Sequence, residues 1–222
     1  MVDIVIFVED KNDVYFFRDF ILKNYLNEEI DKSTYINEKT YDLKFENKTV
    51  RIQDTNKFKN EGNSAGWTKI KGLFASNDIQ KMLKSNSEIK LICIFDADES
   101  KSENINFKNT QIDSWIQDED FTIDRFYMPF NDNNSHNLEQ LLELSFNKKF
   151  KDCWQDFDSC VFNNNQEVQL PNPNKGKITT YNEYYQNLQN GDFRYLSEIW
   201  NLNSNTNENL KPLKEFLDQY LN

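Results

Sequence analysis

Residues 4–13 read IVIFVEDKND and residues 91–98 read LICIFDAD. Each is an unbroken apolar run that stops abruptly at acids. A strand with apolar side chains at every position, rather than every second one, is covered on both faces, as in the middle of a parallel sheet flanked by helices. In such a sheet the carboxyl ends of the strands share one edge, where ligands bind. Glu9, Asp96 and Asp98 fall at those ends.

Working outward, the polar turn after Val8 leads into VYFFRDFILKNYL, whose apolar spacing is helical, with Asn12 or Asp13 as N-cap. A further strand is expected at 49–53, a polar loop at 60–67, and helices over about 68–84 and 108–118. IDRFYM (123–128) reads as a strand ended by Pro129, and LEQLLELSF as a helix with Leu138, Leu141 and Leu142 on one face. Strands alternating with helices imply an α/β domain with an open parallel sheet over residues 1–150. Residues 151–222 read as a helical C-terminal extension packed on the same domain: a polar stretch to 175 broken by Pro171 and Pro173, then helices in KGKITTYNEYYQNL, DFRYLSEIW and LKPLKEFLDQYL.

The chain of 222 residues carries 26 Lys and Arg against 37 Asp and Glu, a net charge of −11. That balance argues against gripping a phosphate backbone through a broad basic surface, so a nucleic-acid substrate would have to be brought in with divalent cations. With 18 Phe, 10 Tyr and 4 Trp there is ample apolar area for a core. Trp67, Trp115, Tyr184 and Tyr185 could stack on bases, but core packing is the plainer reading. No apolar run is long enough to span a membrane, and the acidic start does not suit a signal peptide, so a cytoplasmic protein without membrane contact is expected. Cys93, Cys153 and Cys160 form neither a disulfide framework nor a zinc spacing, and His136 is the single histidine. Carboxylates are therefore the abundant reactive groups.

Residues i and i+2 of an extended segment point the same way, so Asp96 and Asp98 present carboxylates side by side with Ala97 turned away. Two like charges at about 4 Å repel by about 1 kcal/mol in water and about 4 kcal/mol at an effective dielectric of 20. An all-oxygen cluster of this kind suits Mg²⁺ or Mn²⁺ rather than zinc or copper. The plain alternative is that these acids are solvated strand ends or helix caps.

The pair IVIFVEDKND and LICIFDADES resembles the Toprim family, the catalytic domain of topoisomerases, primases and overcoming-lysogenization-defect nucleases. The family carries a glutamate after its first strand and D-x-D after a later one; Glu9 matches the glutamate, Asp13 the acid four residues on, and Asp96 and Asp98 the D-x-D. A closer resemblance, over most of the chain, is to small stand-alone Toprim-related proteins, through AGWTKIKGLF, the D-A-D strand end, MPFNDNNSHNLEQLL and NKGKITTYNEYY. It implies a Toprim-like fold and Mg²⁺- or Mn²⁺-dependent phosphodiester cleavage of nucleic acid, DNA more than RNA. In those terms Glu9, Asp13, Asp96, Asp98 and Glu139 form the metal site. Glu9 doubles as general acid or base, and Lys175 or Lys177 supplies a catalytic cation. Topoisomerase, primase and ATPase modules are not recognisable in the sequence, so such activities would need a partner ATPase or other subunit. Two other readings stay open, on Asp10 and His136, which depart from the family pattern. One is an inactive metal- or nucleic-acid-binding module; the other is a regulatory interaction subunit of a repair or phage-defence system.

Overall fold

The computed structural model describes residues 1–37, 39–55, 66–74, 77–97, 104–132, 135–164, 176, 178–180 and 193–222. At its centre is β1 (Ile4–Val8), all five residues of which are buried. Their alternation divides them between two cores. Ile4, Ile6 and Val8 point into one, while Val5 and Phe7 point into the other. β5 (Lys90–Asp96) is divided in the same way, Ile92 and Ile94 to the first core and Leu91, Cys93 and Phe95 to the second. This is the two-sided burial that the uninterrupted apolar runs demand.

The first core is closed by α1 (Lys11–Tyr25), α5 (Leu138–Leu144) and the C-terminal helix α7 (Lys211–Leu221). The second is closed by α2 (Ile70–Phe74), α3 (Asn77–Ser85) and α4 (Ile105–Ile116). Trp67 is buried there and stacks on Trp115, with ring centroids 5.5 Å apart, so both rings serve packing.

The sheet has six strands in the order β2-β3-β4-β1-β5-β6. β4 (Thr49–Asp54), β1, β5 and β6 (Ile123–Met128) run parallel. β2 (Ser33–Asn37) and β3 (Thr40–Lys44) add an antiparallel hairpin at the β4 edge. The fold is therefore α/β with a mixed, mostly parallel sheet, which corrects the expectation of an all-parallel one. The hairpin is short and polar, and Tyr35 and Ile36 on its outer strand are exposed, so it shows none of the continuous apolar character of the inner strands.

Three further expectations change. The N-cap of α1 is Asp10, not Asn12 or Asp13: its carboxylate accepts from the Asn12 and Asp13 N–H groups at 2.6 and 3.3 Å. Part of the stretch read as broken and polar is the helix α6 (Lys148–Asn164), in which Phe150, Trp154 and Phe157 recur at helical spacing. DFRYLSEIW forms only a 3-10 turn at Arg194–Leu196, because Tyr195, Ile199 and Trp200 reach the first core through a turn instead of a helix. Trp200 also pairs with Phe146 in an isolated antiparallel bridge, with ring centroids 4.4 Å apart. Most of KGKITTYNEYYQNL lies outside the described residues.

In α1 every residue from Val14 to Leu22 is buried, which forces Arg18 and Asp19 into the interior together. They form an ion pair at 2.7 Å, with the Arg18 guanidinium 4.0 Å from the Phe193 ring and 4.7 Å from that of Tyr41. Removing one partner of such a pair leaves an uncompensated buried charge, so Arg18→Leu is expected to lose about 3–5 kcal/mol in urea unfolding. Burial pushes the Asp19 carboxyl up from 3.8 to about 6, against the opposing pull of Arg18. Its folded value being the higher one, the stabilisation it gives is full below about pH 3.8 and lost as pH rises through about 6. Asp19→Asn should therefore flatten the fall in melting temperature that the wild type shows over that interval.

Candidate functional site

The register of the central strands brings the acids together. Phe7 pairs with Cys93 across β1 and β5, and continuing that register sets Glu9 level with Phe95, one residue short of Asp96. The Glu9 carboxylate closes the gap: its Oε1 accepts from the Asp96 main-chain N–H at 3.1 Å. Gly66 packs against the other side of this carboxylate, where an added Cβ would lie 1.9 Å from Oε2. Only a residue without a side chain lets Glu9 keep this pose.

Beyond Glu9 the chain turns into α1 through a reciprocal cap. Asp13 Oδ2 accepts from the Glu9 and Asp10 N–H groups at 3.1 and 3.0 Å, while Asp10 receives the N–H groups of Asn12 and Asp13. This is the capping box, with the acid at N3 in the usual glutamate's role. Burial and the negative charges of Asp10, Asp96 and Glu9 hold the Asp13 carboxyl well above the usual carboxylate range, against a bond to the Asp10 main chain that lowers it. Asp10, Asp96 and Glu9 are thus close enough to act on the ionisation of Asp13.

Asp96 ends β5 opposite Met128 of β6. Its Oδ1 accepts from the Leu138 N–H at the start of α5, at 2.9 Å, and its carbonyl accepts from Lys108 Nζ at 2.8 Å. Lys108 is fully buried, with its ammonium 5.7 Å from the Trp67 ring centre. A fixed positive charge therefore sits beneath the acids. Asn137 caps α5 through the Gln140 N–H, leaving Glu139 half-buried in the first turn, while His136 is exposed.

These elements enclose a cavity of about 210 Å³. Asp10, Asp13, Asp96 and Glu139 line one part of it, and Thr179, Arg194 and Tyr195 contribute to the rest. Of the residues singled out from the sequence, Asp13, Asp96 and Glu139 meet at this cavity. Glu9 is not part of the lining, since its carboxylate is packed between Gly66 and the Asp96 N–H. Asp98, Lys175 and Lys177 lie outside the described residues.

The carboxylates that line the cavity offer oxygen donors of the kind Mg²⁺ or Mn²⁺ takes. Each carboxylate has about four lone-pair sites, so accepting one or two main-chain N–H groups leaves capacity for a ligand. Among the described residues, however, no group of three or more His, Cys, Asp or Glu side chains is arranged to hold a metal ion. Glu9, Asp10, Asp13 and Asp96 are instead engaged with main-chain N–H groups.

Sequence reasoning missed Asp10, Gly66, Lys108 and Arg194 as parts of this region. Asp10 and Asp13 carry the three-residue spacing of a capping box, and Lys108 falls between Ile105 and Ile112 on the apolar face of α4, which marks a buried lysine. Arg194 has no comparable local signal.

Comparison with protein-family models, with curated proteins and with solved structures finds no match. No helix among the described residues is long and apolar enough to cross a membrane.

Because Gly66 is pressed against a side-chain end rather than backbone, Gly66→Ala should be accommodated by swinging Glu9 away from the Asp96 N–H. The expected loss is that of one hydrogen bond to a charged group, about 1.5–3 kcal/mol. In the Glu9→Ala background the same substitution should cost markedly less, a coupling measurable by a double-mutant cycle in urea.

Proposed function

We propose that the protein is a Toprim-like, Mg²⁺- or Mn²⁺-dependent phosphodiesterase of the nuclease type, acting on nucleic acid and on DNA in preference to RNA. The observation that supports this reading is the 3.1 Å contact between the Glu9 carboxylate, at the end of β1, and the main chain of Asp96, at the end of β5, beside a cavity that Asp13, Asp96 and Glu139 line. In this reading Asp96 and Asp98 hold the ion, and Asp13 or Glu139 completes its carboxylate set. An ion held there would supply Lewis-acid polarisation of the phosphate and a lowered pKa for the attacking water. Glu9 moves the proton, taking it from the water or giving it to the leaving oxygen, and Lys175 or Lys177 offsets charge that develops on the phosphate.

A second reading, metal and nucleic-acid binding without turnover, draws on the way Glu9 is held. Its carboxylate is committed to the Asp96 N–H and wedged against Gly66, which suits a fixed structural acid better than a mobile proton carrier.

Labelled single- and double-stranded DNA and RNA, incubated with Mg²⁺ or Mn²⁺, test both readings. The wild type is expected to cleave, EDTA to abolish cleavage, and Asp96→Ala and Glu9→Ala each to lose at least about 10²–10³ in rate. At 100 Kd of Mg²⁺ the wild type should gain about 2.7 kcal/mol, and Asp96→Ala much less. Stabilisation without cleavage in any substrate selects the binding module. Neither effect sinks both readings and leaves an interaction subunit.

A further inference from the structure

We infer that Arg194 is the residue that binds the phosphate group in the acid-lined cavity. The assignment rests on the phosphodiester reading for its substrate class and deepens it.

A phosphodiester approaching this cavity meets Asp10, Asp13, Asp96 and Glu139 on a molecule of net charge −11. A metal ion would offset part of that repulsion, and a cation on the lining itself would offset more of it. Among the described residues that line the cavity, Arg194 is the one cation. A guanidinium suits the role, since its planar fork can donate to two phosphate oxygens at once.

The position of Arg194 is built rather than incidental. Its guanidinium lies over the Tyr15 ring, 4.8 Å from the centroid, and the residue is half-buried. On one side of it the Tyr195 N–H donates to Asp19 Oδ2 at 3.0 Å, and the Tyr195 ring meets Phe16 edge-on at 5.7 Å. On the other side the Phe193 ring rests on the Arg18 guanidinium. The interior Arg18–Asp19 pair thus clamps the residues that flank Arg194. A buried ion pair is a poor source of stability compared with well-packed apolar residues. This one fixes the turn on which Arg194 lines the cavity.

The test is fluorescence anisotropy with a short labelled single-stranded DNA in Ca²⁺, which is to replace Mg²⁺ and suppress turnover, on wild type, Arg194→Gln and Arg194→Lys. Arg194→Gln is expected to bind roughly tenfold to a hundredfold more weakly, the worth of a charge-assisted hydrogen bond or two. It should also flatten the salt dependence of log K by about 0.7, which a merely structural role would not do. Arg194→Lys should keep that salt dependence and recover only part of the affinity. Calorimetry should find Mg²⁺ affinity undiminished in both variants, because the carboxylates are untouched. If Arg194→Gln fails to fold, Arg194→Lys decides alone: binding equal to wild type overturns the assignment.

Probe affinity and kcat/KM unchanged in Arg194→Gln, with cleavage still lost in Asp96→Ala, overturn the assignment of Arg194 and leave the phosphodiester reading intact. Arg194-dependent probe binding by a wild type that cleaves nothing does the reverse. A wild type that binds no probe in Ca²⁺ also overturns the assignment.

Discussion

Carboxylates do not gather unaided. Two of them about 4 Å apart in a partly buried setting repel by about 4 kcal/mol, and here the charges of Asp10, Asp96 and Glu9, together with burial, push the Asp13 carboxyl up. The sheet register sets the ends of β1 and β5 side by side, and main-chain N–H groups then do most of the restraining. Asp96 donates to Glu9, Leu138 to Asp96, Glu9 and Asp10 to Asp13, and Asn12 and Asp13 to Asp10.

Two buried cations add to that restraint from different directions. Lys108 holds the Asp96 carbonyl from within the second core. Arg18, in the first core, pairs with Asp19, which in turn fixes the turn carrying Arg194. The electrostatics of the cavity are therefore tied into both layers of the fold, one on each face of the sheet. A loop excursion alone would not achieve this.

What the sequence makes legible follows from burial. β1, β5, β6 and α5 are readable because their apolar residues are continuous or regularly spaced, and the acids at the ends of β1 and β5 follow from those boundaries. The β2–β3 hairpin is not readable, because an exposed edge with Ser33, Thr34 and Asn37 on its outer strand carries no burial signal. α6 hides among charges, with Phe150, Trp154 and Phe157 betraying its period. Asp10 is legible as a cap only once the spacing to Asp13 is noticed. Arg194 depends on long-range closure, since its neighbours Tyr195 and Phe193 are fixed by α1 residues far away in the chain. No local pattern encodes such a meeting.

The packing of α7 against the first core has a consequence for biosynthesis. Leu213, Leu217 and Leu221 belong to the same core as Phe16, Phe20 and Leu22 of α1, and the Tyr25 hydroxyl of α1 donates to the Lys214 carbonyl. At about 5–20 residues per second, α7 leaves the ribosome on the order of ten seconds or more after α1. Until then the core that α1 shares with α7 is incomplete. A nascent chain in that state is a natural client for a chaperone that shields apolar helices.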